Sequence, residues 1–204
     1  MKLKVKILAL FLLLAALWPM QVQAQEYDNA IGLRLGDPYG FSFKKYKSDT
    51  RAIEFILGTS GGNWYTNYYK RAFERLSLAD DNFYDGHRLD FTVAFAARYL
   101  KQKDFPDKVD GLKWYYGIGL GLRLAQVEYR YLRRADINDI HNAPKFFSNN
   151  LNFDAGPEGI LGIEYTLYDA PITLYMETSL FGEIIDNPFR FRFYGAFGIR
   201  YNFN

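Results

Sequence analysis

The sequence predicts an all-β protein, an eight-stranded antiparallel up-and-down transmembrane β-barrel with its apolar face turned outward. Three observations predict it. From about residue 30 onward, apolar side chains alternate with small or charged ones at a period of two. Glycine recurs on the non-apolar face, as at Gly32, Gly117, Gly119, Gly121, Gly162 and Gly198, where a cramped interior needs small residues and a water-facing surface does not. The two long connections also fall on the same side of the strand count.

The N-terminus is set aside first. Lys2, Lys4 and Lys6 precede a 12-residue apolar run, Ile7 to Trp18, and Val22-Gln23-Ala24 offers small residues for cleavage, so 1–24 reads as a secretory signal peptide and 25–204 as the barrel domain. Losing three lysines turns the formal charge of +2 into −1, which removes a basic surface for nucleic acid. The chain has no cysteine, which excludes disulfides and thiolate chemistry. A mean hydropathy of −0.23, with no apolar stretch of about 18 residues, excludes spanning helices. The 19% aromatic content excludes disorder.

The strands follow in order: 29–36 (Ile31, Leu33, Leu35), 39–46 (Phe41, Phe43) and 51–60 (Ile53, Phe55, Leu57). In 87–101, Leu89, Phe91, Val93, Phe95, Ala97 and Tyr99 oppose Arg88, Asp90, Thr92 and Arg98. In 112–125, Leu112, Trp114, Tyr116, Ile118, Leu120, Leu122 and Leu124 oppose Lys113, Gly117, Gly119, Gly121 and Arg123. The series ends with 152–168 (Leu161, Ile163, Tyr165, Leu167), 171–184 (Ile172, Leu174, Met176, Leu180) and 189–203 (Phe191, Phe193, Phe197, Ile199, Tyr201, Phe203). Gly36-Asp37-Pro38, Lys47-Ser48-Asp49-Thr50, Asp169-Ala170-Pro171 and Asp186-Asn187-Pro188 supply turns. The long connections are 61–86 and 126–150, and Tyr69 to Leu78 reads as a short helix within the first.

Apolar residues on the outside require hydrocarbon there, and a sheet in hydrocarbon must close to satisfy its backbone groups. An even strand number puts both termini on one side. The connections 36–39, 61–86, 126–150 and 185–189 then share the other. The inward set carries charge: Arg34, Lys44, Arg88, Arg98, Lys113, Arg123, Arg190, Arg192 and Arg200 with Glu54, Asp90, Glu158, Glu164, Glu177 and Glu183. Such groups must pair in a narrow interior, so a structural ion-pair network is expected around Arg34, Glu54, Asp90, Arg98, Arg123, Glu164, Glu177, Arg192 and Arg200.

No catalytic, cofactor-binding or metal residues are expected. Gly117, Gly119 and Gly121 alternate within a strand and lack the helix that a dinucleotide loop requires. Asp80, Asp81, Asn82, Asp85 and His87 do not match a calcium loop, because Phe83 stands where a ligand would be needed. Neither His87 nor His141 has a Ser or Thr two positions away to act as nucleophile.

Ala30-Ile31-Gly32-Leu33-Arg34-Leu35-Gly36, Gly111-Leu112-Lys113-Trp114-Tyr115-Tyr116-Gly117, Gly162-Ile163-Glu164-Tyr165 before a short proline turn, and the final aromatic-alternating strand resemble the small porin-family outer-membrane β-barrels of Gram-negative bacteria. The architecture is similar to OmpA/OmpX-type eight-stranded barrels. The resemblance implies a cell outer-membrane location among lipid and lipopolysaccharide. It also implies insertion by the barrel-assembly machinery, which reads an aromatic at the end of the last strand, here the penultimate Phe203. The expected protein is a non-enzymatic monomer with no cofactor and no nucleic-acid partner, its loops 61–86 and 126–150 free to meet a protein partner. Narrow solute transport and lipid A modification are the alternatives.

Overall fold

The computed structural model describes residues 27–60, 66–105, 109–134, 144–185 and 189–204; the signal-peptide segment 1–24 and His141 lie outside them. Eight strands form a closed barrel: β1 (Asn29–Gly36), β2 (Tyr39–Ser48), β3 (Arg51–Thr59), β4 (Asn82–Asp104), β5 (Leu112–Arg133), β6 (Lys145–Thr166), β7 (Ile172–Glu183) and β8 (Arg190–Phe203). Each strand pairs antiparallel with the next, and β1 closes on β8 from Asn29↔Phe203 to Gly36↔Ala196. The start of β1 and the end of β8 lie at one mouth, here the terminal end. The connections after β1, β3, β5 and β7 lie at the other, the cap end.

Within the barrel the apolar set faces out. Ile118 and Phe193 are each 72% exposed, while Arg34, Glu54, Arg98 and Arg200 on the inner face are at most 2% exposed. Inward glycines make room for rings: Tyr115 lies over Gly162 and Tyr175 over Gly198, where a Cβ would strike the neighbouring ring. Gly111, with φ +80°, turns the chain into β5 in a conformation that L side chains avoid, and its carbonyl accepts Thr166 N–H at 2.8 Å.

The structure corrects the predicted connections. Much of 61–86 and 126–150 is ordered secondary structure: 82–91 of β4, 126–133 of β5 and 145–153 of β6 continue past their neighbours as a three-stranded crown, about 27 Å long at 3.4 Å per residue. Along β5 the reason is legible. Up to Leu124 the even-numbered, outward side chains are apolar. From Ala125 the apolar set moves to the odd, inward positions Val127, Tyr129 and Tyr131, and Gln126, Glu128 and Arg130 face out. Through this exchange β5 keeps one continuous register against β6. β6 departs from this pattern, keeping Phe147 and Leu151 outward with Ser148, Asn150 and Asn152 inward.

β4 accommodates the crown with two bulges, at Asp85 and Asp90, where the register against β5 shifts. Each bulge adds one residue and flips every side chain beyond it. Leu89 therefore turns inward, contrary to the predicted outward face, and Arg88 turns outward.

The crown's inner face holds a short helix, α1 (Thr66–Phe73), in place of the predicted 69–78, followed by a 3-10 turn over Ser77–Asp80. Eight residues are too few for a stable isolated helix. Packing holds it: Tyr68, Tyr69, Ala72 and Phe73 join Ala125, Val127 and Tyr129 in one buried cluster. The solvent side carries Lys70 and Arg71, whose charge suits the last helical turn.

Candidate functional site

The alternation that builds the wall delivers charged side chains into the lumen from all eight strands, and every strand but β5 contributes to one connected group. Near the terminal end, Lys44 Nζ lies 2.6 Å from Glu164 Oε2, Gln102 donates to Glu164 Oε1, and Arg200 meets Glu164 at 3.4 Å. Arg200 also pairs with Glu54, donates to Ser42 Oγ at 3.1 Å and stacks on Tyr175 with its guanidinium 3.5 Å from the ring centre.

Glu54 links this group to the next through Arg98 at 3.4 Å. Arg98 forks onto Glu158 at 2.6 and 3.1 Å, and reaches Glu177 at 2.6 Å. Glu177 further accepts from Arg34 at 2.9 Å and from the Tyr115 hydroxyl at 2.8 Å. Four cations (Lys44, Arg34, Arg98, Arg200) thus face four carboxylates (Glu54, Glu158, Glu164, Glu177), and the network is neutral as a whole. Neutrality matters because an unpaired buried ion costs several kcal/mol.

The cap end is closed differently. Arg123 pairs with Asp37 at 3.3 Å, donates to Ser60 Oγ at 2.8 Å and lies 4.3 Å over Tyr194. Above it Arg192 pairs with Asp154 at 2.8 Å and Glu183 at 3.2 Å. The α1 residue Tyr68 descends onto these carboxylates, donating to Asp154 at 2.5 Å and Glu183 at 3.3 Å, with Arg190 and Arg192 each 4.9 Å from its ring centre. Burial and the Asp154 carboxylate push the Tyr68 phenol above its ordinary range, so it keeps its proton and donates. At the terminal end a cavity of about 360 Å³ is lined by Tyr46, Gln102, Lys113, Glu164 and Asn202 among others.

Arg34, Glu54, Arg98, Arg123, Glu164, Glu177, Arg192 and Arg200 therefore lie in the lumen, with Lys44, Glu158 and Glu183. Asp90 does not: it sits at the β4 bulge and pairs with the exposed Arg88 at 2.9 Å on the outer surface. Arg88 is outside for the same reason. Lys113 and Arg190 are half-buried at the two mouths. Sequence reasoning missed Asp154 and Tyr175, although each occupies an inward position of its strand by simple alternation, and it placed Tyr115 on the inward face without a part in the network. Tyr68 and its helix gave no such signal.

Asp85 and His87 part company. Asp85 bonds Arg130 at 2.5 Å on the crown's outer side, whereas His87 points inward, 2.5 Å from the Tyr84 hydroxyl and 4.7 Å from the Tyr69 ring centre. Burial lowers the His87 pKa. The docked state consequently binds this proton less readily than the undocked one, so docking of α1 is full above about pH 6.5 and weakens as pH falls below it. Proteolysis within 66–81 is expected to accelerate between about pH 7.5 and 5.5, and the acceleration to vanish in His87→Phe. Equal rates at both pH values in the wild type would refute this.

No protein-family model matches the sequence, and no curated protein matches it. The closed ring of eight strands nevertheless defines a fold class, the eight-stranded antiparallel up-and-down β-barrel. Its fold is similar to the crystal structure of the N-terminal β-barrel domain of Pseudomonas aeruginosa OprF, with a TM-score of 0.55 and 12% identity, over 88% of this chain and 100% of that one.

Proposed function

We propose that this chain is a non-enzymatic outer-membrane barrel protein that holds a rigid crown at the cell surface, with its lumen filled by paired side chains. The observation that carries this reading is the reversal along β5: the outward face is apolar through Leu124 and polar from Gln126 to Arg130, while β5 keeps one register against β6. A boundary between hydrocarbon and water at that height explains it. A soluble protein would leave a broad belt of large apolar side chains in water, each forgoing about 1.5–3 kcal/mol of burial.

The surroundings implied are lipid against the belt, lipopolysaccharide beside the crown, and the barrel-assembly machinery during insertion. The neutral network of paired side chains across the lumen favours a closed interior over a solute path. The crown and α1 are the parts available to a protein partner, consistent with a role in envelope structure, adhesion or a larger membrane complex.

The test is topological. The chain should stay in carbonate-washed outer membranes and show heat-modifiable migration, and a cysteine at Asn82 should react with an impermeant thiol reagent on intact cells while one at Ser48 should not. Release into the soluble fraction, or equal labelling at both sites, would overturn the reading.

A further inference from the structure

A depression interrupts the apolar belt on the outside of the barrel. Most of the outward positions around it carry large apolar side chains, but β6 presents Pro157 and Gly159, and β7 presents Gly182. Together they floor a groove of about 670 Å³ walled by Ile118, Leu180 and Phe191. Gly159 stands between Ile118 on β5 and Leu180 on β7, and a Cβ placed there would meet no atom within 4 Å. Pro157 brings no N–H, so the floor leaves no donor unpaired at that point. Arg98 and Glu158 lie behind the floor, but their side chains turn inward to each other at 2.6 Å and give the groove no charge.

The groove also has a direction. Ile118 is near the middle of the part of β5 that belongs to the barrel, whereas Gly182 is one residue from the cap end of β7 and Phe191 one residue from the start of β8. It runs along the wall from Ile53 on β3 and Ala97 and Tyr99 on β4, past Ile118, to the cap-end rim at Gly182 and Phe191, crossing five strand spacings of about 4.8 Å, roughly 24 Å in all.

We propose that this groove is a binding site for one acyl chain of a lipid in the cap-side leaflet. The inference rests on the membrane reading given above. Continuity with the lipid-facing belt, the apolar walls and the opening toward the cap-side rim select a lipid chain over a polar ligand. The site distinguishes one lipid from the exchanging remainder by enclosing its chain between side chains of β5, β7 and β8.

The structure supplies its own control. Gly195 also faces outward with open space at its Cβ position, but lies outside the groove. Wild type, Gly159→Trp, Gly159→Leu and Gly195→Trp would be purified from outer membranes in mild detergent, checked for heat-modifiable folding, and weighed by native mass spectrometry with any lipid still attached. Wild type and Gly195→Trp should retain a lipid, and both Gly159 variants should lose it. Lipid-free wild type, equal retention in all four, or a wild-type dimer lost on filling Gly159 would overturn the proposal. Failure of the wild type to remain in carbonate-washed membranes would instead overturn the membrane reading beneath it, and the two failures are separable because the washing step needs no bound lipid.

Discussion

Glu177→Gln is expected to cost about 3–5 kcal/mol of unfolding free energy, because it removes one member of a buried charge network and leaves its partners behind. Glu177 accepts from Arg34, Arg98 and Tyr115 at once. Arg98 retains Glu158 and Glu54, but Arg34 loses its carboxylate and keeps only a bond to the Pro38 carbonyl. Most of the loss should therefore trace to Arg34. Removing both partners, in Arg34→Met with Glu177→Gln, should restore a large part of the stability, since a neutral pair strands no charge. Urea titration of the four members of this cycle in detergent micelles measures it. Strict additivity of the two single changes would show that the pair is not coupled. Bilayer conductance of the same proteins tests closure: the wild type is expected to be silent, and steady wild-type conduction would mean that the network lines a pore.

The second large effect is expected from Leu120→Arg. Leu120 is 64% exposed on the outer face of β5, near the middle of the belt, where an arginine facing lipid costs about 2–4 kcal/mol. Gln126→Arg lies on the same strand and the same face, six positions along, on the crown side of the reversal. It should stay within about 0.5 kcal/mol of wild type, as surface changes usually do. Folding yield and urea resistance in lipid vesicles measure both. Equal tolerance at the two positions would mean that the same solvent surrounds both.

The barrel was legible because its lower strands largely obey one rule. From Leu112 to Leu124 each even side chain meets the outside and each odd one the lumen, so a period of two and a count of glycines were enough to read strand, face and closure together. The same rule placed Arg34, Glu54, Arg98, Glu164, Glu177 and Arg200 in the lumen, although which carboxylate each arginine meets depends on registers across the barrel that no local pattern encodes. Reading failed where the rule changed. Ala125 to Tyr131 keeps the period but exchanges its faces, and against a fixed idea of the outside it resembles a connection. Asp90 failed through its bulge: one added residue shifts the face of everything beyond it, and nothing in Leu89-Asp90-Phe91 announces the insertion. The helix α1 owes its place to Tyr69 and Phe73 meeting residues of β4 and β5 from far along the chain, a contact of tertiary packing that helical propensity alone does not reveal.

The most direct measurement is a scan of spin labels along the outer face of β5, at 116, 118, 120, 122, 124, 126, 128 and 130, in reconstituted bilayers. Collision rates with oxygen, which concentrates in hydrocarbon, are compared with those of a water-soluble nickel complex. Labels from 116 to 124 should favour oxygen, with a maximum near 118 to 120, and those from 126 to 130 should favour nickel, with the crossover between Leu124 and Gln126. Nickel access at every position, with no crossover, would contradict a barrel set in a membrane up to that height.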